Sequence, residues 1–253
     1  MSEPFAVEFD RFNLNYGDHE VLKNINLAIP SGTCLGIIGP NGSGKTSLLR
    51  SIAGLIQPVS GEVKVFGHVP SRSWRHRQPI GYVPQWKSID QEFPISVYEV
   101  VMLGRTGRLG FFHSPKTEDH ALVERILVRV NMLELAARPI GQLSGGQQQR
   151  VFIARALAQE ANLLLFDEPG TGLDIPTQES IYRLLEELHE DGITTLTATH
   201  DLMALEFHHF DRILCLNKHI IAFGPPEEVL TPDILAKTFS GVPWPTKLVG
   251  HGA

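Results

Sequence analysis

Long apolar runs are what this sequence most plainly lacks. Unbroken ones, such as that around Leu163–Phe166, are only a few residues long, far short of the ~20 residues that cross a bilayer as a helix. Cysteine is nearly missing too: two residues, Cys34 and Cys215, both inside apolar, strand-like stretches. Two thiols so placed argue against disulfide staples, are too few for a structural zinc site, and read as core packing. Positive charge is in deficit, with 22 basic against 28 acidic residues and a net charge of −6. That argues against a sequence-independent nucleic-acid binder, which needs a basic stripe. No internal repeat and no low-complexity segment interrupts the chain. The opening residues MSEPFAVEFD carry acids where a secretory signal has a basic segment and an apolar stretch, so the expectation is a protein kept in the cytosol. What is present suffices for a core: 42% of the 253 residues are hydrophobic. The length suits one large α/β domain with an inserted subdomain.

Strands and helices alternate along the chain. Val21, Lys23, Ile25, Leu27 and Ile29 alternate with polar neighbours, as do Val63 and Val65, which predicts an early, mostly antiparallel β region. Residues 33–38 form a continuous apolar strand that enters a Gly-rich turn and then a helix. Ser114-Pro115 reads as the start of a helix running to about Val130, with Glu118 and Asp119 in its first turn. After about residue 145 the order is helix, strand 162–167, helix 176–190 and strand 194–199, which implies a parallel sheet covered on both faces. Residues 90–145, without a clear strand, read as a helical insertion. Val97, Val100, Val101 and Leu103 fall near helical spacing and are expected to be buried there. Phe111-Phe112 follows an Arg/Gly stretch and reads either as an exposed anchor for an apolar helix of a partner or as a pair folded over the insertion's own core. The His208-His209 pair has no supporting ligands at metal-site spacing and reads as surface.

Gly39-Pro40-Asn41-Gly42-Ser43-Gly44-Lys45-Thr46 fits G-x-x-x-x-G-K-[ST] in full, after an apolar strand and before a helix. The glycines let successive N–H groups turn toward phosphate oxygens, and the helix adds its positive end. Lys45 reaches the β- and γ-phosphates, and the Thr46 hydroxyl can ligate Mg²⁺. The run LLLFDE ends a buried strand in Asp167 and Glu168. This places a metal-holding carboxylate and a water-activating one at the carboxyl edge of the sheet. Ser144 followed by Gln147 makes a capping box, and Gly145-Gly146 keep side chains away from it. The result is either an ordinary N-cap or a helix start that receives an anion.

With LSGGQ (Leu143–Gln147) the chain resembles the ATP-binding-cassette (ABC) ATPases. The order of phosphate loop, YVPQ (82–85), LSGGQ, LLLFDE, TGLD (171–174) and THD (199–201) matches that family from about residue 5 to 240. The resemblance implies a RecA-like, mostly parallel core with an antiparallel β subdomain (1–89 and 146–240), a helical insertion (90–145) and a tail (241–253). It implies ATP and Mg²⁺, with Tyr16 stacking on adenine and residues 39–47, Ser47 included, around the phosphates. Gln85 then senses Mg²⁺ and the attacking water, Glu168 is the base, and His200 contacts the γ-phosphate. Leu143, Ser144, Gly145, Gly146, Gln147 and Asp174 meet the nucleotide of a second copy of the chain. Residues 93–112 resemble the zinc, manganese and iron(II) importer branch. Such a cassette works with separate permease subunits and, indirectly, with an extracytoplasmic metal receptor, as a peripheral subunit on the cytoplasmic face of the inner membrane. Only 96 residues lie between Thr46 and Leu143, too few for the coiled coils of chromosome-maintenance relatives. An iron–sulfur assembly ATPase stands as the alternative.

Overall fold

The computed structural model describes residues 5–70, 80–85, 94–109, 114–201, 205 and 209–239. The chain divides into two compact units, one running to Val69 and resuming at Leu196, the other spanning Pro70–Thr195.

In the first unit β1 (Phe5–Tyr16), β2 (His19–Pro30) and β4 (Ser60–Val65) form an antiparallel sheet in the order β2-β1-β4. The alternation seen in the sequence is the cause. Val7 faces Ile29, Phe9 faces Leu27 and Phe12 faces Ile25, and all six side chains are buried. The register slips between Phe9 and Phe12, where Arg11 takes φ 44° and its N–H donates to Asn26 Oδ1 at 2.9 Å, a bulge satisfied by a side-chain amide. The same unit holds β3 (Cys34–Ile38), parallel to β8 (Arg212–Asn217), and β9 (His219–Gly224), antiparallel to β8. The last described helices, α7 (Pro226–Val229) and α8 (Pro232–Thr238), pack beside β8. Cys34 and Cys215 lie in this core with Ile38, Phe210, Ile213 and Leu235, and burial pushes the Cys215 thiol up to about 11. Both cysteines are buried, in keeping with packing as their role.

The second unit carries β5 (Ile80–Val83), parallel to β6 (Leu163–Asp167), with Tyr82 opposite Leu165 and Val83 opposite Phe166. Its helices are α2 (Val97–Met102), α3 (Thr106–Leu109), α4 (Thr117–Arg129), α5 (Gly145–Leu157) and α6 (Ile175–Glu190). Strand β7 (Thr194–Thr199), wholly buried, carries the chain from the second unit back to the first. Parallel strands with intervening helices, beside a separate antiparallel sheet, establish the α/β class expected from the alternation.

Two local expectations need correction. Helix α4 begins at Thr117 rather than Ser114. Its N-cap is Lys116, and the Lys116 N–H donates to Asp119 Oδ2 at 2.9 Å, so the carboxylate at the third helical position sets the start. Leu103 is 50% exposed while Val97, Val100 and Val101 are buried. Helix α2 ends at Met102 and the chain tightens into a 3₁₀ turn at Leu103–Arg105, which rotates Leu103 off the apolar stripe. Phe111 and Phe112 lie outside the described residues.

Candidate functional site

Strand β3, buried at every residue, delivers the chain into the loop Gly39–Gly44 and helix α1 (Lys45–Ile52). Gly44, the helix N-cap, takes φ 101°, a left-handed conformation closed to ordinary side chains. A β-carbon there would also stand 2.6 Å from Leu22 Cδ2. No side chain caps α1, so its first turn presents backbone N–H groups and the positive end of the helix dipole. Lys45 is 5% exposed, and its ammonium donates to Gly39 O at 2.7 Å and Pro40 O at 3.1 Å. The Ser43 hydroxyl is buried with no hydrogen-bond partner among the described residues. A buried cation, an orphaned hydroxyl and an uncapped helix start fit a phosphate chain. Asn41 and Gly42 lie exposed at the loop tip, and Thr46 is half-buried. Ser47 is buried and lies 3.4 Å from the hydroxyl of Tyr16, whose ring ends β1 at 49% exposure, open to a planar ligand. His200 follows β7, with the turn beyond it fixed by Asp201 N–H donating to Thr199 Oγ1 at 3.0 Å.

In the second unit, β6 ends in Asp167 (2% exposed) and Glu168 (9%). Parallel pairing with β5 brings Tyr82 and Gln85 to that end. The Tyr82 hydroxyl donates to Asp167 Oδ2 at 3.1 Å. Gln85 Nε2 donates to Glu168 Oε2 at 2.8 Å, and Thr171 Oγ1 donates to the same oxygen at 3.2 Å. Glu168 takes φ 53°, an unusual conformation for a non-glycine residue and one that marks functional turns.

Ser144 caps α5 as the spacing predicts: Gln147 N–H donates to Ser144 Oγ at 3.4 Å and Ser144 N–H to Gln147 Oε1 at 3.1 Å. Leu143 and Gly146 are buried, while Ser144 is exposed. The buried amide of Gln148 donates to Ile140 O and Leu143 O at 3.1 and 3.2 Å and so fixes the turn before Ser144. Asp174 is the N-cap of α6, taking the Thr177 N–H and hydroxyl at 3.0 Å each. Those two donors, the N–H first, hold its carboxyl below the ordinary value. Gln178 Nε2 secures the preceding loop through Gly170 O and Leu173 O.

The family profile for ABC transporters matches residues 22–171. This chain is a member of that family. It is 45% identical over 238 residues to the manganese transport system ATP-binding protein MntB of Bacillus subtilis, covering 94% of this chain and 93% of that one. It is 40% identical over 237 residues to the zinc transport system ATP-binding protein TroB of Treponema pallidum, covering 94% and 88%. Among solved structures, a bacterial ABC transporter cassette in dimeric form superposes with a TM-score of 0.73 at 31% identity, covering 87% of this chain and 98% of that one. The fold is therefore that of an ABC nucleotide-binding domain, and the chain is an ABC transporter ATPase. Among the described residues, no helix of the cassette is long and apolar enough to cross a membrane.

The cassette brings together some of the residues its sequence singles out, namely Lys45 with Gly39 and Pro40, Tyr16 with Ser47, and Gln85 with Glu168. Sequence reasoning missed the hydroxyls of Tyr82 and Thr171 as partners of the two carboxylates. Tyr82 lay three residues before Gln85 inside a recognised motif, and Thr171 three after Glu168. A search for hydroxyls beside the strand end finds both.

Proposed function

We propose that this cassette is the ATP-hydrolysing subunit of an importer for a divalent metal ion, manganese or zinc ahead of iron, working through separate permease subunits. The observation that carries the catalytic part is the carboxylate of Glu168, held by Gln85 at 2.8 Å at the end of a buried strand. The metal cargo is supported by the manganese and zinc transport systems to which the relatives belong. ATP stacks its adenine on Tyr16 and lays its phosphates along residues 39–47, where the N–H groups of Asn41–Ser47, the Ser43 hydroxyl and the Lys45 ammonium replace water as donors. Thr46, Gln85 and Asp167 would hold Mg²⁺, which would neutralise negative charge on the phosphates. Glu168 takes the proton of the attacking water, and His200 orients that water and the γ-phosphate. Leu143–Gln147 and Asp174 of a second copy close over the same nucleotide, so two cassettes enclose two ATP molecules. Closing and reopening passes through the helical insertion (90–145), hinged at Gln85, to the permease at the cytoplasmic face of the inner membrane. A metal-binding receptor on the far side delivers cargo.

The test joins chemistry to transport. Lys45→Ala removes a charge-assisted donor from a desolvated site, and phosphate release from the purified chain is expected to fall to background. In the native host, loss of the chain should abolish high-affinity uptake of radioactive manganese or zinc, restored by the wild-type chain and not by Lys45→Ala. Undisturbed metal uptake with a loss of iron–sulfur enzyme activities would instead establish the assembly alternative.

A further inference from the structure

Gly146, the second residue of α5, is buried, and a β-carbon built on it would stand 2.2 Å from Thr177 Cγ2. No pair of carbon atoms tolerates that separation. Only glycine lets the first turn of α5 rest directly on the first turn of α6. The rest of Thr177 is engaged in the other direction, since its N–H and Oγ1 grip the two carboxylate oxygens of Asp174 at 3.0 Å each. One turn further along α5, Arg150 donates through Nη2 to Ser180 Oγ of α6 and through Nη1 to Val130 O at the end of α4, the latter at 2.8 Å. The two helices are thus joined at successive turns, first by a methyl seated on a glycine and then by a guanidinium bridge. Ser144 and Gly145 lie at one side of this joint and Asp174 at the other.

We propose that Thr177 is a positioning residue that locks the Ser144–Gln147 turn and the Asp174 loop of one cassette into a single block, so that both reach the nucleotide of the opposing copy in fixed register. The inference rests on the two-cassette reading given above. Threonine suits the position because its two γ-substituents act separately. The methyl sets the distance to α5, and the hydroxyl sets the rotation of Asp174. Serine keeps only the second function and valine only the first.

The experiment uses the full chain with Gly146→Ala, Thr177→Ser, their combination and Thr177→Val. ATP turnover is measured against ATP concentration, and thermal unfolding without nucleotide. Gly146→Ala should lower kcat by about tenfold or more, because the new methyl forces the helices apart. Adding Thr177→Ser deletes the clashing Cγ2 and leaves Thr177 Cβ and Oγ1, at 3.6 and 3.8 Å, as the nearest atoms of that side chain. The double variant should therefore recover to within about threefold of wild type, the non-additivity expected of two residues in contact. Thr177→Val should lower kcat about three- to tenfold with the KM for ATP and the unfolding midpoint unchanged, since the hydroxyl orients Asp174 and contributes little to folding. A double variant no more active than Gly146→Ala overturns the proposal. So does a Thr177→Val whose unfolding midpoint falls in step with its activity. Lys45→Ala run alongside separates the two levels: if it keeps wild-type turnover, the ATP-site reading falls, and the proposal with it.

Discussion

Glu168 receives its two described donors on one oxygen, Oε2, from Gln85 at 2.8 Å and Thr171 at 3.2 Å, while its backbone is turned to φ 53°. Both features fix where the carboxylate points, which is what a general base needs before a water arrives. Replacing Glu168 with Gln keeps shape and volume and removes the proton acceptor. ATP turnover should fall by ~10²–10⁴-fold with nucleotide binding retained, and a variant within tenfold of wild type in steady-state phosphate release would show that the base lies elsewhere. Thr171→Val removes one donor from a buried carboxylate and leaves the packing. A hydrogen bond to a charged group contributes about 1.5 kcal/mol or more, so kcat should drop about tenfold or more with KM unchanged. An equal rise in KM with unaltered kcat would assign Thr171 to nucleotide binding instead.

At the scale of elements, α4 is fastened through Asp119. The Lys116 N–H and then the Arg105 guanidinium, 2.9 Å away, hold the Asp119 carboxyl below the ordinary aspartate value. Arg105, 11% exposed at the side chain, also reaches Glu160 at 2.6 Å and Ala158 O at 2.9 Å, just beyond the end of α5. A carboxyl whose folded pKa is depressed contributes stability that is fully present above its unfolded value of about 3.9. That stability is lost as pH falls through the lower folded value. Asp119→Asn should therefore lower the urea midpoint at pH 6 and flatten its fall between pH 4 and pH 3. An unchanged slope would show that the ion pair contributes nothing to acid sensitivity. This element also marks the limit of what the sequence discloses. The phosphate loop, the Ser144–Gln147 box and the alternating strands are set by residues a few places apart, so spacing alone reveals them. The start of α4 lies three residues beyond the expected one because Pro115 and Asp119 both offer helix-start chemistry, and a guanidinium fourteen residues earlier favours the second. The Gln85–Glu168 and Tyr82–Asp167 pairs depend on the register of β5 against β6, which no local pattern encodes.

For the molecule as a whole, Lys45 and His200 belong to one unit and Ser144, Glu168 and Asp174 to the other, and the motif order matches a family with a cassette solved as a dimer. If two copies enclose ATP and the start of α5 receives the γ-phosphate, closure requires that anion. The Glu168→Gln chain with ATP and Mg²⁺ should then double its mass by light scattering, and remain single with ADP. Ser144→Ala in that background isolates the contact. Its hydroxyl contributes about 1.5 kcal/mol or more as a donor to an anion, and two-fold symmetry makes the loss occur twice. The dimer dissociation constant should rise by about a hundredfold or more, while binding of ATP to the single chain, which uses the Lys45 loop, stays the same. A Glu168→Gln/Ser144→Ala chain that dimerises as tightly as its parent would mean that the α5 start does not touch the opposing nucleotide.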